Sequence, residues 1–395
     1  MFHLLLAIIY LSFISLGLPD ALLGAAWPTM YQEFQVPVSY AGAIAMIISC
    51  GTIFSSLQSD RLTKRFGPGK ITAASVALTA IALFGFSISH SYWMLCLWAI
   101  PYGLGAGSVD ASLNNYVALH YESHHMSWLH CMWGLGASVG PYIMSYALTG
   151  GMGWNTGYRY ISVMQAVLTA IIIFSLPIWK NSPAAATNTD DTDSPTPSSP
   201  AKALTIPQIL AIPGAKAVLI MFFCYCALES TAGLWASSFL VLYHHLDAET
   251  AASFASLFYI GITVGRGING FIAMKLKDTQ MIRMGQAIIA AGIVLMLLPL
   301  GEITALIGLV TIGLGCAPVY PCVIHSTPEH FGPEKSQALI GVQMACAYVG
   351  SLSMPPIFGL IANHTSVALY PAYLLLILAL MFAMHELLIK QTSHS

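Results

Sequence analysis

Four ionisable side chains lie inside long apolar stretches of this sequence: Asp20, Asp110, Glu229 and Arg266. A charge at the centre of a membrane helix costs about 2.5 to 3.5 kcal/mol on insertion scales, so such residues normally face a cavity or a partner. A carboxyl group in a water-poor cavity, with no lysine or arginine close by, can load and release a proton. The three acids are therefore candidates for proton or cation coupling, and a structural hydrogen bond to a neighbouring helix is the alternative for each.

The local sequence gives three of these residues different expected roles. Asp20 follows Pro19, and a helix break there would free backbone carbonyls that help to hold a cation. Asp110 lies in the glycine-rich stretch GLGAGSVDASLNN, whose small residues allow close helix packing and leave room for a solute. Arg266 ends a Gly-x-x-x-Gly-Arg sequence, and it either pairs with an acid to lock helices together or acts in gating or solute contact.

Polar and aromatic side chains in the same stretches are suited to a hydroxylated solute. Hydroxyl groups need hydrogen-bonding side chains, and the C–H face of a sugar ring needs a flat aromatic face. For each tryptophan, the alternative is packing in the core or at the membrane interface. The substrate-binding candidates are Trp27, Asn114, Asn115, His130, Trp133, Trp235, Tyr320 and Gln343.

The composition places these residues in a membrane protein. Of 395 residues, 57% are hydrophobic and only 8% are charged, which exceeds what a soluble core can bury. Apolar stretches of about 20 residues, long enough to cross a bilayer, recur along the chain, and we count twelve. The second runs from 38 to 58. The first has no basic n-region or cleavage site, so we expect it to remain as a helix.

Lysine and arginine distribution predicts the orientation, because positive residues are retained in cytoplasmic loops. Most of them follow even-numbered spans, which places both termini in the cytoplasm. Short loops favour a bacterial inner membrane.

All eight cysteines fall within apolar spans, where they act as small packing residues and do not build a disulfide framework.

One hydrophilic interval, 181–206, divides the chain into an N-terminal six-helix bundle at 1–180 and a C-terminal one at 207–395. Its Pro, Ser, Thr and Asp content predicts a flexible cytoplasmic linker. The halves resemble each other at an offset near 210 residues: Gly103-Leu104-Gly105 matches Gly313-Leu314-Gly315, and Gly51 matches Gly261. Duplicated bundles suit alternating access, in which two similar halves rock around a binding site.

The stretch from Ser56 to Asp60 and Arg61, continuing to Arg65, resembles the Gly-x-x-x-Asp-Arg loop signature of the major facilitator superfamily, with Ser56 replacing the first Gly. The resemblance implies a conformational latch in which Asp60 pairs with a nearby arginine. The second-half counterpart is degenerate and leaves Arg266 within its span. The family implies an all-α membrane protein with twelve transmembrane helices in two six-helix bundles.

Three stretches resemble the fucose, galactose and glucose:proton symporter branch of this superfamily: SLGLPDALLGAAWP in the first span, Asp110 to Asn114 in the fourth, and LHCMWGLGA from Leu129 in the fifth. The resemblance implies that Asp20 and Asp110 bind a proton or a sugar and that Asn114 and His130 bind hydroxyl groups. Asp110 stands where this branch often has a glutamate.

We therefore predict a monomeric secondary transporter that carries a hexose-like or similar small polar solute together with a proton or sodium ion. A drug or metabolite:proton exporter on the same fold is the alternative. A membrane enzyme or sensor would need a catalytic constellation or a sizeable soluble domain, and the sequence offers neither. No nucleotide-binding loop or metal cluster indicates a cofactor, and no feature indicates a nucleic-acid partner.

Overall fold

The computed structural model describes residues 2–37, 40–180, 203–246, 248–298 and 301–393. Across these ranges every regular element is helical. The predicted linker at 181–206 lies outside them except for its last four residues. The fold class predicted from composition and apolar spans, an all-α membrane protein, is confirmed.

The helices follow one another with short connections, and Val367–Leu369 forms one additional 3₁₀ turn. The α-helices are α1 Phe2–Gly17, α2 Leu22–Glu33, α3 Tyr40–Phe66, α4 Pro68–Ser87, α5 Tyr92–His120, α6 Ser123–Thr149, α7 Gly153–Lys180, α8 Ile206–Leu210, α9 Ala215–Leu242, α10 Ala248–Ile272, α11 Asp278–Leu297, α12 Glu302–His325, α13 Thr327–Phe331, α14 Pro333–His364 and α15 Tyr370–Thr392.

Counted with α1 and α2 as one interrupted span, the described ranges hold twelve long helical segments. Among the described residues, nine segments are both long and apolar enough to cross a membrane. The helices α5 and α6 are not among them, and the apolar stretch described in α10 is the shorter Leu257–Ile272. These three helices carry Asp110, His130 and Arg266, whereas Asp20, Glu229 and Tyr320 lie on segments that are among the nine.

The chain folds as two compact units. The N-terminal unit comprises Met1–Tyr116 with Met132–Leu204, and the C-terminal unit comprises Val117–Cys131 with Thr205–Ser395. The predicted boundaries assign 117–131 to the first bundle, whereas these residues pack with the second unit. The end of α5 and the start of α6 therefore contribute side chains to the C-terminal unit.

The glycines of the predicted repeat make equivalent helix contacts in each unit. A Cβ atom on Gly103 would lie 2.2 Å from the carbonyl oxygen of Ile48, so α5 touches the backbone of α3. A Cβ atom on Gly313 would lie 2.3 Å from the carbonyl oxygen of Phe258, so α12 touches the backbone of α10 in the same way. Each residue of the second pair stands 210 positions after its counterpart in the first, which supports duplication of one helical unit.

Candidate functional site

The first span is broken at the position that the sequence predicts. Helix α1 ends at Gly17 and α2 begins at Leu22, with Pro19 and Asp20 in the turn between them. The turn is held by hydrogen bonds from the Asp20 amide to the Gly17 carbonyl, at 3.1 Å, and from the Leu22 amide to the Pro19 carbonyl, also at 3.1 Å. The break therefore positions the Asp20 carboxyl group in the middle of a span.

Two neutral donors hold the Asp20 carboxyl group. The indole Nε1 of Trp133 donates to Oδ2 at 2.9 Å, and the hydroxyl of Tyr102 donates to Oδ1 at 3.3 Å. Within the described ranges, no lysine or arginine forms an ion pair with Asp20. The residue also keeps exposed surface. Because a carboxylate facing hydrocarbon is costly, this surface is best explained as facing a water-filled cavity.

Close packing of α1 against α6 brings Trp133 to Asp20. A Cβ atom on Gly17 would lie 2.1 Å from the carbonyl oxygen of Trp133, and one on Gly136 would lie 2.0 Å from the carbonyl oxygen of Ile14. Small residues at both positions let the two backbones meet without side chains between them. The predicted stacking residue Trp133 thus acts in this structure as a hydrogen-bond donor to the predicted coupling acid.

Asp110 and Asn114 form a second polar pair in the N-terminal unit. The Asn114 Nδ2 atom donates to Oδ1 of Asp110 at 2.8 Å and to its backbone carbonyl at 3.0 Å. The two residues are four apart on α5, which puts them on one face of the helix. Asp110 is half-buried, whereas Asn114 and Asn115 are buried. The pair offers a carboxylate oriented by an amide.

The C-terminal unit gathers four further predicted site residues. Arg266 is 3% exposed, and its Nη2 lies 3.8 Å from Oε1 of Glu229. Its guanidinium lies over the ring of Tyr320, 5.9 Å from the centroid, a cation–π arrangement. The His130 ring meets the same tyrosine edge to face, with centroids 4.7 Å apart. The structure therefore places a carboxyl group, a guanidinium group and two aromatic rings together in this unit.

Three predicted substrate-binding residues have other surroundings. Trp27 is buried in the hydrophobic core of the N-terminal unit and packs edge to face with Tyr92. The Trp235 indole donates to the Pro355 carbonyl at 2.9 Å. Gln343 is fully buried and exchanges hydrogen bonds with the Thr327 hydroxyl at 3.1 and 3.2 Å. A direct contact between these three residues and a solute stays a prediction.

The predicted latch lies on a helix, because α3 continues to Phe66, beyond the predicted end of that span at 58. Asp60 is buried and pairs with Lys64 at 3.0 Å, one turn further along the helix. The ion pairs among the described residues include none between Asp60 and an arginine. Arg61 is exposed, and Arg65 lies over the Phe66 ring at 5.2 Å. The Asp60 Oδ1 atom has no hydrogen-bond partner among the described residues, so it can accept one in another conformation.

A hydrogen-bonded network in the C-terminal unit was missed by the sequence analysis. Asp278 Oδ2 lies 2.6 Å from His325 Nδ1, and its Oδ1 accepts a hydrogen bond from the Ser123 hydroxyl. The His325 Nε2 atom contacts the Tyr121 carbonyl at 2.9 Å. The network ties the connection between α5 and α6 to the first residue of α11 and the end of α12. No motif spacing links residues so far apart in the sequence.

We expect Asp278→Asn to loosen this network, because the amide keeps the size of the side chain but loses its charge-assisted hydrogen bonds. Cys322 reports the change, since it is buried with its Sγ 4.0 Å from the Ser123 hydroxyl. In a chain retaining Cys322 alone among its cysteines, thiol labelling should accelerate several-fold on this substitution. Lys275→Gln in a nearby connection is the control, and equal labelling in all three chains would contradict the prediction.

Comparisons with known proteins agree with this architecture. The sequence profile of the Major Facilitator Superfamily matches residues 9–355 and 218–394. The yeast (Saccharomyces cerevisiae) protein "Bypass of stop codon protein 6" is 24% identical over 286 residues. The match covers 68% of this chain and 56% of the yeast protein. The 4-hydroxybenzoate transporter PcaK of Pseudomonas putida is 24% identical over 396 residues, covering 89% of this chain and 85% of PcaK.

Among solved structures, the E. coli fucose:proton symporter FucP has the same fold. It superposes with a TM-score of 0.72 at 16% sequence identity, covering 97% of this chain and 98% of FucP. At this level of identity, the likeness shows the shared fold. Together with a family match that runs through most of the sequence, the shared architecture shows that this chain belongs to the Major Facilitator Superfamily of membrane transporters.

Proposed function

We propose that the chain is a secondary active transporter that moves a sugar-like, hydroxylated solute together with a proton. The observation that carries the proposal is the environment of Asp20: a carboxyl group in the middle of a broken span, bonded by the neutral donors Trp133 and Tyr102 and reachable from its exposed side. Protonation removes its charge within the membrane. A carrier that can return only with this site neutral links the proton to the solute.

The second polar pair supports a division of roles between the two acids of the N-terminal unit. Asp110 is oriented by Asn114 through a 2.8 Å hydrogen bond and is half-buried. A carboxylate fixed in this way is a good acceptor for a solute hydroxyl, since its geometry is set before binding. We assign the proton to Asp20 and the solute hydroxyls to Asp110 and Asn114, with sodium as the alternative coupling ion.

The names of the relatives are consistent with this solute class. FucP is described as a fucose:proton symporter and PcaK as a 4-hydroxybenzoate transporter, so one carries a sugar and the other a hydroxylated acid.

The distribution of lysine and arginine supports cytoplasmic termini. We propose a monomer in a bacterial inner membrane with that orientation.

The proposal predicts uptake of labelled hexoses into proteoliposomes when the outside is acidic. Accumulation should collapse when a protonophore is added, and a sodium gradient alone should drive none. If uptake occurs only under a sodium gradient, sodium is the coupling ion instead of a proton. If neither gradient drives accumulation of any hydroxylated solute, the symport proposal is wrong. The alternative, a drug or metabolite:proton exporter on the same fold, is then favoured.

The Asp110→Asn variant separates solute binding from coupling. We expect KM for the solute to rise about tenfold or more, because a neutral amide is a weaker acceptor than an oriented carboxylate. Accumulation under the pH gradient should persist at saturating solute. Loss of accumulation with an unchanged KM would instead assign the proton to Asp110.

A further inference from the structure

The network that fastens the connection between α5 and α6 contains a titratable pair. The His325 ring lies between two oxygen atoms: its Nδ1 is 2.6 Å from Asp278 Oδ2, and its Nε2 is 2.9 Å from the Tyr121 carbonyl oxygen. The Ser123 hydroxyl donates to the other oxygen of Asp278. All four residues belong to the C-terminal unit. The network therefore joins the end of α12, the first residue of α11 and this connection within one compact body.

The partners of the His325 ring determine which atoms carry hydrogen. A backbone carbonyl oxygen only accepts, so Nε2 must donate to Tyr121. In a neutral imidazole with its hydrogen on Nε2, Nδ1 is an acceptor. It would then lie 2.6 Å from an oxygen of Asp278, which is also an acceptor when the carboxyl group is ionised. So short a contact needs a hydrogen between the two atoms.

That hydrogen belongs either to an imidazolium Nδ1 or to a carboxylic acid Oδ2. Both assignments contain the same number of protons, so the closed network holds one proton more than a neutral histidine beside an ionised aspartate. The pair is also shielded from water, since the Asp278 side chain is 6% exposed and that of His325 is 18% exposed. Loss of the proton would leave two acceptors in contact with little water to separate them, which is unfavourable.

We infer that Asp278 and His325 form a second proton-binding site, which keeps the connection between α5 and α6 attached while the proton is bound. The inference goes beyond the proposed function, because it involves neither the solute nor Asp20. The ligand of the site is a hydrogen ion. Its release to water leaves a neutral imidazole and a carboxylate, and the His325 ring must then give up its contact with Asp278 or with Tyr121.

Other titratable groups lie near this pair and have to be distinguished from it. Cys322 is buried on α12 and lies within electrostatic range of Asp278. On α13, the exposed Glu329 lies within electrostatic range of His325, and His330 lies within range of Asp278. The His330 ring makes its own contact elsewhere, with a hydroxyl group on α15 at 2.8 Å. His325 is the imidazole in direct contact with Asp278.

The bound proton links opening of the connection to pH. In the open form, the His325 imidazole reaches water and has the ordinary pKa of histidine, about 6.5. Below that pH, the open and closed forms both hold the proton, so their ratio does not change. Above it, opening releases one proton, and the ratio of open to closed rises about tenfold per pH unit for as long as the closed form keeps its proton. Attachment is therefore favoured in acid and weakened as the pH rises.

Amide hydrogen exchange of the full-length protein in detergent tests this dependence without any substitution. The segment Val117–Cys131 contains amides that report opening, such as Tyr121, which donates to the Val117 carbonyl at 3.0 Å, and His125, which donates to the Glu122 carbonyl at 2.9 Å. Exchange is corrected at each pH for the intrinsic rate of an unstructured amide. The corrected rate should be level below about pH 6.5 and should rise about tenfold per pH unit above it.

Variants identify the group that holds the proton. His325→Gln keeps an amide that can donate to one neighbour but cannot titrate in this range, so its corrected exchange should not change with pH. His330→Gln and Cys322→Ala remove the other nearby imidazole and thiol, and both should keep the slope of the wild type. Asp20→Asn should also keep it, because the two proton sites are separate.

Several results would overturn the inference. A corrected rate that stays level in the wild type would show that opening releases no proton. A slope that survives in His325→Gln, or that disappears in His330→Gln, Cys322→Ala or Asp20→Asn, would assign the proton to another group. An equal rise in every peptide of the C-terminal unit would indicate general unfolding in place of local release of the connection.

Discussion

The Asp20→Asn variant is expected to lose accumulation driven by a pH gradient while it still exchanges solute across the membrane. Asparagine has the shape of aspartate, and its carbonyl oxygen can still accept from the Trp133 indole, which donates to Asp20 at 2.9 Å. It cannot bind a proton. The variant therefore resembles a carrier that is permanently loaded, which can shuttle solute but cannot use the gradient.

The size of the effect follows from the driving force. Each pH unit is worth about 1.4 kcal/mol, or tenfold in concentration, so a difference of about two units supports about 100-fold accumulation at one proton per solute. The wild-type chain in proteoliposomes should approach this limit, and Asp20→Asn should equilibrate near equal concentrations. Counterflow of labelled solute against unlabelled solute measures the retained exchange.

Matched variants identify what the carboxyl group contributes. Trp133→Phe removes one hydrogen-bond donor but leaves the acid, so it should keep accumulation with altered kinetics. Asp110→Asn should keep accumulation at saturating solute. Accumulation by Asp20→Asn that equals the wild type would show that another acid carries the proton, and Glu229 would be the next to test.

The parts of the fold that follow from local sequence were predictable. Apolar spans of sufficient length specify membrane helices, and Pro19 cannot donate a backbone hydrogen bond, so the break before Asp20 could be expected. The offset of 210 residues between repeated glycines also had a physical basis, since Gly103 and Gly313 each sit where two helix backbones meet.

Contacts between distant parts of the chain could not be predicted in this way. Trp133 was identified as an aromatic face for a solute, but its pairing with Asp20 depends on how α1 packs against α6. The pairing of Asp278 with His325 and Ser123 likewise joins three separate segments. Residue type predicts which groups can interact, whereas the packing of helices determines which of them meet.

The pairing of Asp60 illustrates a local limit. The family signature favours an arginine partner, yet α3 continues past the predicted end of its span. On a continuous helix, Lys64 is one turn from Asp60 and on the same face, whereas Arg61 projects in another direction. An error of eight residues in one helix end, at 58 instead of Phe66, was enough to change the expected partner.

The close approach of α1 and α6 can be tested at a single atom. In Gly17→Ala, the added Cβ would lie 2.1 Å from the Trp133 carbonyl oxygen and 2.8 Å from the Ala137 amide nitrogen. Both are backbone atoms on a helix, so they cannot rotate away as the end of a side chain could. The two helices must separate, and overpacking of this kind costs about 1 to 3 kcal/mol and occasionally more. We therefore expect a lower melting temperature for the full-length protein.

The same displacement should alter the kinetics of transport, as Trp133→Phe is expected to do, because it moves the Trp133 indole away from Asp20 across the contact that positions both. Gly24→Ala is the matched control: this glycine lies in α2 of the same span, and among the described residues its added Cβ would have no atom within 4 Å beyond its chain neighbours and the backbone of its own helix. Gly24→Ala should fold and transport normally. A Gly17→Ala protein as stable and as active as Gly24→Ala would mean that α1 and α6 do not meet at this point, and the geometry assigned to Asp20 and Trp133 would have to be abandoned.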